Sequence, residues 1–347
     1  MKIKVIRNLL GSALALVFFS FVSCASTVNV RLTRPANLDL NGAKTIAVLP
    51  IKPYAYYREY DVNFGVELLI NTFYQLFDVP DPDEQAIIRT LRSTIESGLA
   101  QSPYIKLIDS DEVERAQKNG YLNPADVYLT GEVAYFKISD RSYDEKKLVK
   151  TASGNELALY QVFTYWVRDV DFIFRYQIVD SSTNRVISHS EVKCSDSSSS
   201  YERRRDLPSA YDLIEYKIRY AAKSILKELQ PYTVTKSISL LDTKTKDKEL
   251  KASFKAADEL ARNSMLKDSS QAFSKIYEET GMVEAGYNAA ILQEALGNLS
   301  LAERMMSELY ENCPDSRVAK GLEDIRYEIK QAERLNKQIR STEPTDF

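Results

Sequence analysis

The stretch Thr45-Ile46-Ala47-Val48-Leu49-Pro50-Ile51 is a short apolar run that a proline brings to an end. A run of this length with no charged residue predicts a strand that is buried on both faces. The segments that follow alternate between helical and extended patterns, in the order helices, strand, helix and strand. This order is typical of a layered α/β domain with a mixed sheet, and together with a helical C-terminal region it predicts an α+β fold.

The clearest helix start in the chain is Asp81-Pro82-Asp83-Glu84. Asp81 can cap the helix, Pro82 suits its first turn, and the acidic residues suit the positive end of the helix dipole. Apolar side chains then recur on one helical face, at Ile88, Leu91, Ile95 and Leu99. Similar patterns predict a helix over 63–77, a strand over 104–108, a short helix over 110–119 and a strand over 127–136.

Residues 157–179 form the longest extended apolar stretch, and residues 184–194 return as its antiparallel partner. Between residues 157 and 167 both alternating faces of the strand are apolar. Such a strand is buried on both faces, or one of its faces contacts lipid or a partner protein. We favour a buried strand that lies beneath helices.

Two polar segments flank these strands. Residues 137–156 are predicted to be a long loop, and residues 195–206 a mobile loop that includes the cluster Arg203-Arg204-Arg205. Because acidic residues flank this cluster, we interpret it as solvated charge, with contact to anionic lipid or cell wall as the alternative. A helix over 211–229 follows, and Pro231 ends it.

The N-terminal residues carry a targeting signal. Basic residues precede an uncharged run from Leu9 to Val22, which is short for a membrane span and ends at Ser23-Cys24. This pattern resembles the bacterial lipoprotein signal peptide, whose cleavage leaves a cysteine that receives lipid. The resemblance implies palmitate on Cys24 and a membrane-anchored protein that faces the periplasm, with the outer membrane preferred. An uncleaved anchor helix and a plain secretory signal are the alternatives.

Shifts in composition divide the chain into six segments. The polar residues before position 43 include Pro35 and Gly42, as a tether would, and a stretch rich in threonine, serine and lysine after Pro231 is typical of a boundary. The predicted segments are a lipoprotein signal peptide (1–23), a tether (24–42), the layered α/β domain (43–230), a linker (231–248), a helical region (249–338) and a flexible tail (339–347).

The helical region contains a repeat-like pattern. Residues 287–314 resemble one tetratricopeptide repeat, with Ala290 and Ala302 where its two helices approach closely. Residues 249–280 resemble a degenerate copy, and residues 316–338 a capping helix. An unrelated helical bundle is the alternative. Because stacked repeats commonly bind proteins on a concave surface, the resemblance implies a partner site, for which our candidate residues are Tyr287, Gln293 and Met306.

Three stretches of the α/β domain also carry a resemblance: Lys44–Pro50, Ala125–Val133 and Tyr176–Val186. In this order, with a helix over 82–100 between the first two, they resemble the domain shared by the curli-secretion lipoprotein and by lipoprotein activators of penicillin-binding proteins. The resemblance covers about residues 40–230. It implies no catalytic residues, because members of this group act by assembly or by contact with a partner enzyme.

The composition excludes several classes of site. The 46 Lys and Arg nearly balance the 49 Asp and Glu, which argues against a nucleic-acid-coating protein. His189 is the single histidine, and the cysteines are Cys24, Cys194 and Cys313. This scarcity argues against zinc sites and a disulfide scaffold, and no phosphate-binding or metalloprotease motif is present. We therefore expect no metal, no cofactor and no enzyme activity, with His189 exposed on a strand and Cys194 and Cys313 free.

These observations predict a lipid-anchored, non-enzymatic cell-envelope adaptor that binds a partner protein through its helical repeats. The first alternative is a subunit of an oligomeric curli-type secretion channel, in which residues 157–167 would contact the membrane or a neighbouring subunit. The second alternative is a periplasmic activator of a cell-wall enzyme. The oligomeric state and the identity of the partner stay open at this stage.

Overall fold

The computed structural model describes residues 26–54, 81–121, 123–149 and 159–342. The predicted signal peptide, Cys24, the predicted helix over 63–77 and the last five residues lie outside this part of the chain. The strands are β1 (Thr27–Arg34), β2 (Thr45–Val48), β3 (Lys106–Ile108), β4 (Val127–Val149), β5 (Leu159–Asp180), β6 (Val186–Ser197) and β7 (Tyr232–Ser239). The helices are α1 (Pro82–Ala100), α2 (Ser110–Lys118), α3 (Ala210–Leu229), α4 (Lys248–Arg262), α5 (Leu266–Thr280), α6 (Val283–Ala295), α7 (Leu299–Asn312) and α8 (Ser316–Thr342).

The chain divides into two compact units. One consists of Met1–Arg34 and Thr233–Leu335, and the other of Pro35–Tyr232 and Asn336–Phe347. We call the first the helical unit and the second the α/β unit. The α+β fold class is confirmed, because a mixed sheet with its helices is combined with a helical C-terminal region.

The α/β unit is built on a five-stranded sheet in the order β3-β2-β4-β5-β6. The predicted central strand lies in the middle of its parallel part, since β2 pairs in parallel with both β3 and β4. The β4–β5 and β5–β6 pairs are antiparallel, as predicted for the long apolar stretch and its return. The sheet is therefore mixed, and its antiparallel half contains the longest strands.

One face of the sheet forms the main core with α1 and α3. The strands contribute large side chains that include Phe136, Phe172, Phe174, Tyr176 and Ile178. The helices contribute Ile87, Leu91, Ile95, Leu99, Ile214, Ile218, Ala222 and Ile225, at the spacing of an amphipathic helix. On the other face, Val113 of α2 packs with Ala47 and Ala125 in a smaller cluster.

The predicted start of α1 is confirmed in detail. Asp81 Oδ1 accepts hydrogen bonds from the backbone N–H groups of Asp83 at 2.9 Å and Glu84 at 3.2 Å, and Pro82 occupies the first turn. Asp83 also contacts α3, because its carboxylate accepts from the backbone N–H of Ala210 at 3.1 Å. The N-terminal end of α1 therefore helps to position α3.

Two predicted loops are wrong. Residues 137–149, expected in a long loop, continue β4 and pair with β5 along their whole length. Residues 195–197, expected in a mobile loop, continue β6, and residues 204–206 form a short 3₁₀ turn. Charged and serine residues are compatible with strands here because much of this β structure faces solvent.

The helical unit contains α4 to α7, most of α8 and a two-stranded sheet of β1 and β7. Leu240 N donates to Ser26 O at 2.8 Å, and Ser237 Oγ donates to Asn29 Oδ1 at 2.7 Å, so the two strands run antiparallel. The core of the unit includes Val28, Val30, Ile238, Phe254, Phe273, Ala289, Leu292, Met306 and Ile325. Helix α6 is its central element, since eight of its residues are buried.

The segments predicted as a tether and a linker are both corrected. β1 occupies Thr27–Arg34 in the expected tether, and β7 occupies Tyr232–Ser239 in the expected linker. Each strand has little apolar surface alone, but the pair buries alternate side chains against the helices. The predicted flexible tail is wrong for residues 339–342, which belong to α8.

Candidate functional site

The outer half of the β4–β5 hairpin extends past the end of its neighbouring strand. β6 pairs with β5 only as far as Asp169, whereas β4 and β5 remain paired up to Val149 and Leu159. We call residues 141–149 and 159–167 the hairpin arm. The residues that join its two strands, 150–158, lie outside the described part of the chain.

Burial changes sharply along β5. The inner half of the strand has a row of buried side chains at Val170, Phe172, Phe174, Tyr176 and Ile178. From residue 160 to residue 166, by contrast, every residue is half-buried or exposed. The expectation that residues 157–167 pack beneath helices is therefore wrong for residues 160–166, none of which belongs to the hydrophobic core formed by the described residues.

One face of the arm carries an apolar patch. Opposite residues of antiparallel strands share a face, and here Leu148 pairs with Tyr160 and Lys146 with Val162. Leu148 is 51% exposed, Tyr160 55% and Val162 57%. We call these three residues the arm patch. The ammonium group of Lys146 lies 5.1 Å from the centroid of the Tyr160 ring, so a cation borders the patch.

The opposite face of the arm is organised around two tyrosines. The rings of Tyr143 and Tyr165 lie 5.8 Å apart between centroids, and Tyr143 Oη lies 2.6 Å from Ser200 Oγ. Lys147 Nζ donates to Tyr165 Oη at 2.7 Å and also lies over its ring. Hydrogen bonds to Tyr165 and Glu145 raise the pKa of Lys147, so it remains a cation at neutral pH.

Both faces of the arm carry charges as well as apolar side chains. Arg141, Glu145 and Lys147 lie on the face of Tyr165, and Asp144 and Lys146 lie on the face of the arm patch. A Lys or Arg on a lipid-facing strand costs about 2–4 kcal/mol at the bilayer midplane. The arm therefore suits a surface in water that binds another protein better than a surface in hydrocarbon.

A charged cluster fixes the root of the arm. Asp140, with a side chain only 5% exposed, accepts hydrogen bonds from Arg168 at 2.7 and 2.9 Å and from Arg204 at 3.0 Å. Burial alone would raise the pKa of Asp140, but the hydrogen bonds and charges of the two arginines hold it below its ordinary value. Arg168 Nη1 also donates to the carbonyl of Pro208 at 2.9 Å, which ties β5 to the segment before α3.

The next side chain on the same face of β5 is that of Trp166. Its backbone exchanges hydrogen bonds with Tyr201, N to O at 2.7 Å and O to N at 2.9 Å. The guanidinium of Arg204 lies 5.6 Å from the Trp166 ring centroid. Arg204 is therefore part of the arm root, whereas Arg203 and Arg205 are exposed and lie 3.7 and 3.8 Å from Asp206.

The residues predicted to bind a partner in the helical region do not form a surface. Met306 is buried in the helical core, so its assignment as a binding residue is wrong. Gln293 donates to Ser270 Oγ and accepts from Asn298 Nδ2, both at 2.8 Å, so both ends of its amide group are already hydrogen-bonded within the helical unit. Tyr287 is half-buried, and burial raises its pKa. Cys24 lies outside the described residues.

The helical unit contains a buried charge cluster that no sequence pattern indicated. Arg34 binds both oxygens of Glu328, at 2.5 and 2.7 Å, and Lys236 bridges Glu328 and Glu294. These residues adjoin a groove of about 490 Å³ that is lined partly by Leu299 and other aliphatic side chains. Burial raises the pKa of Glu294, and its Oε2 has no hydrogen-bond partner in the described structure. The pairing across β1, β7, α6 and α8 could not be predicted from local patterns.

The remaining candidate residues, His189, Cys194, Cys313 and Asp169, form no catalytic arrangement in the described structure. His189 is exposed on β6, and Cys194 and Cys313 are free thiols, as predicted. Asp169 accepts hydrogen bonds from Arg141 at 2.7 Å and from Ser197 at 2.5 Å, so its carboxylate links β4, β5 and β6 at the base of the arm.

Within the described residues, no group of three or more His, Cys, Asp or Glu side chains could hold a metal ion. None of the helices in that part of the chain is both long enough and apolar enough to cross a bilayer.

No protein-family model and no curated protein matches the chain. Similar solved structures exist, at low identity. A homologue of the neuraminyllactose-binding hemagglutinin from Helicobacter pylori aligns over 57% of this chain and 86% of its own, with 13% identity and a TM-score of 0.31.

Two further structures align over a similar part of the chain. The PelC dodecamer from Paraburkholderia phytofirmans covers 58% of this chain and 98% of its own, with 15% identity and a TM-score of 0.23. Lipoprotein GNA1162 from Neisseria meningitidis covers 53% and 96%, with 12% identity and a TM-score of 0.19. Likenesses this distant decide neither function nor site.

Proposed function

We propose that the protein is a lipid-anchored, non-enzymatic adaptor of the bacterial cell envelope, and that it binds a partner protein through the hairpin arm. The observation that carries this proposal is the arm patch, in which Leu148, Tyr160 and Val162 are each more than half exposed. Exposed apolar groups that lie side by side and are bordered by charge are typical of protein-binding surfaces. The arm thereby replaces the helical residues as the proposed binding surface.

The root of the arm supports this role. Asp140, Arg168 and Arg204 form a hydrogen-bonded cluster at the point where the arm leaves the core. Trp166 and Tyr201 add a backbone bridge just beyond it. A binding element that is held at its root loses less conformational entropy when a partner docks, which favours affinity.

The anchor is the second part of the proposal. Lipidation of Cys24 rests on the resemblance of residues 1–24 to a lipoprotein signal peptide. The mass of the protein extracted from membranes tests it directly: the proposal expects a chain that starts at residue 24 and carries acyl groups. An unmodified Cys24, or a chain that retains residues 1–23, would overturn the lipid anchor but not the proposed role of the arm.

The two alternatives make different demands on the arm. A curli-type channel subunit would place the arm in lipid, and the charges on both of its faces count against that position. A ring of many subunits after extraction in mild detergent would nevertheless favour the channel. If the protein is an activator of a cell-wall enzyme, that enzyme is the partner that the arm binds.

The tetratricopeptide-like interpretation of α4 to α8 stays a prediction.

Paired variants test the binding surface. Tyr160→Ser combined with Val162→Ser removes most of the arm patch, and Tyr216→Ser combined with Tyr220→Ser removes a pair on α3 that is even more exposed. After chemical cross-linking in cells, the proposal expects the arm variant to lose a specific adduct that the wild type and the α3 variant retain. Equal unfolding midpoints would show that both variants are folded. Retention of every adduct by the arm variant would overturn the proposal.

A further inference from the structure

The first described residue of the chain is fixed against helix α4. Ser26 Oγ donates to Asp258 Oδ2 at 2.5 Å and accepts from Arg262 Nε at 2.8 Å. The carbonyl of Ser26 accepts from Leu240 N at 2.8 Å, and the residue is buried. The chain is therefore held to the helical unit from Ser26 onward, and the expected tether does not separate this unit from position 24.

The distance from Ser26 to an anchor at Cys24 is short. Two residues of fully extended chain span at most about 7 Å, so a lipid attached to Cys24 starts within that distance of Ser26. This step rests on the lipidation advanced under the proposed function. A lipid so close to Ser26 brings the face of α4 that surrounds Ser26 to the membrane surface.

That face of α4 is basic. Lys248, Lys251, Lys255 and Arg262 are separated by three, four and seven residues, so they lie on one side of the helix, and all four are exposed. We call them the basic stripe. Together with Ser26, the last three line a groove of about 640 Å³.

The acidic residues near the basic stripe offset only part of its charge. Asp258 is engaged by Ser26 and by Arg262, the latter at 3.0 Å, and Asp242 is the other acid that lines the groove. Lys255 lies 3.7 Å from Glu259, but both side chains are largely exposed, so their attraction is weak. Lys248 and Lys251 form no ion pair within the described structure.

We propose that the basic stripe of α4 lies against the anionic phospholipid headgroups of the membrane that holds the lipid anchor. The position of Ser26 brings the stripe to the surface, and its charge suits phosphate-bearing headgroups. Lysine and arginine attract anionic lipid only within about one Debye length, roughly 8–10 Å at physiological salt. Arg262 contacts Ser26 at 2.8 Å and is therefore close to an anchor at Cys24, and the three lysines continue from it along the same side of α4. The acyl chains supply the affinity, and the stripe fixes which face of the helical unit meets the membrane.

Two lysines provide a matched test. Lys255 and Lys275 each have a side chain 76% exposed, and each lies near a glutamate four residues later, at 3.7 and 3.8 Å. Lys275 is on α5 and does not line the groove. In lipidated full-length protein with Cys313→Ser, a fluorophore is attached at Lys255→Cys or at Lys275→Cys. The protein is then placed in phosphatidylethanolamine–phosphatidylglycerol vesicles that contain a headgroup-bound quencher, and its acyl mass is measured in the same sample.

The inference expects about threefold stronger quenching at position 255 than at position 275, because only the basic stripe is in contact with headgroups. Lys248→Glu combined with Lys251→Glu should reduce that difference, and vesicles of phosphatidylcholine alone should reduce it as well. Equal quenching at the two positions in acylated protein would overturn the inference and leave the adaptor proposal intact. A protein without acyl groups would overturn the anchor, and this inference with it.

Discussion

Arg168 holds the carboxylate of Asp140 with two parallel hydrogen bonds, Nε to Oδ1 at 2.7 Å and Nη2 to Oδ2 at 2.9 Å. The two residues face each other across β4 and β5, where the hairpin passes from the buried core to the arm. A bidentate pair fixes the relative position of the two strands as well as their charges. The arm therefore leaves the α/β unit from a defined point, which a binding element requires.

Loss of the Asp140 charge should destabilise the α/β unit. Asp140→Asn leaves Arg168 and Arg204 without their shared carboxylate, and because both guanidinium groups keep some contact with water we expect a loss of about 2 kcal/mol in the free energy of unfolding. Urea denaturation measures it. The control is Glu215→Gln, which removes an exposed pair with Arg219 and should cost less than about 0.5 kcal/mol. Equal losses for the two variants would contradict a structural role for the cluster.

The cost of Asp140→Asn should also depend on pH. The pKa of Asp140 is lower in the folded protein than in the unfolded chain. Its ionised form therefore stabilises the fold at pH values above the unfolded pKa of about 3.9, and this contribution is lost as the pH falls through the folded pKa. We expect the difference between wild type and Asp140→Asn to be full at pH 6 to 7, on the order of the loss above, and to shrink below about pH 4. A constant difference across that range would contradict the assignment.

Tyr176 and Glu228 should be energetically coupled. Tyr176 Oη donates to Glu228 Oε2 at 2.9 Å, and burial raises the pKa of both groups. Tyr176→Phe keeps the stacking with Phe174 but leaves a half-buried carboxyl without this donor, so we expect a loss of about 1–2 kcal/mol. A double-mutant cycle with Glu228→Gln should give a coupling energy of at least about 0.5 kcal/mol. Strict additivity of the two single variants would contradict the bond.

Asn288 should be a sensitive position in the helical unit. Its side chain is buried and binds both backbone groups of Leu241, accepting from N at 2.7 Å and donating to O at 2.8 Å. Asn288→Ala leaves those two groups unpaired, at an expected cost of about 3 kcal/mol. Asn312→Ala, at an exposed position on α7, should cost less than about 0.5 kcal/mol. Thermal unfolding of the two variants under the same conditions checks the ranking. An Asn288→Ala variant that loses no more stability than Asn312→Ala would contradict it.

The two free thiols should react at different rates. Burial raises the pKa of Cys194 to about 11, so little thiolate forms at neutral pH, and the residue is hidden in the core. Cys313 is half-buried and more accessible. In the folded protein we expect a thiol reagent to modify Cys313 first, and to modify Cys194 only on unfolding. Peptide mass mapping of the partly modified protein checks the order, and prior modification of Cys194 would contradict it.

The sequence patterns that depend on neighbouring residues predicted the fold well. The cap at Asp81, the apolar run that became β2 and the extended stretch that became β5 are all local signals, and the structure confirms them. β1 and β7 were missed because the polar residues around them indicated a tether and a linker, although apolar residues alternate with polar ones at Val28, Val30 and Leu32 and again at Tyr232, Val234 and Ile238. They are stable only as a pair, and about 200 residues separate them in the chain.

The candidate site was harder to predict for a different reason. Apolar residues on both faces of 157–167 indicated burial, yet every residue from 160 to 166 is half-buried or exposed, and none of them belongs to the core formed by the described residues. Charge in residues 137–149 indicated a loop, although those residues pair with β5 as a strand. Met306, by contrast, could have been assigned to the core from sequence, since Ala302 and Leu309 share its helical face and are buried with it.

The most direct test of the arm as a binding surface is site-specific photo-cross-linking in living cells. A photoreactive amino acid at Val162 lies in the arm patch, and the same residue at Tyr216 lies on an exposed face of α3. We expect the probe at position 162 to give a discrete adduct with another protein, and the probe at position 216 to give none. Failure of position 162 to yield a protein adduct, or cross-linking there to lipid alone, would contradict the proposed role of the hairpin arm.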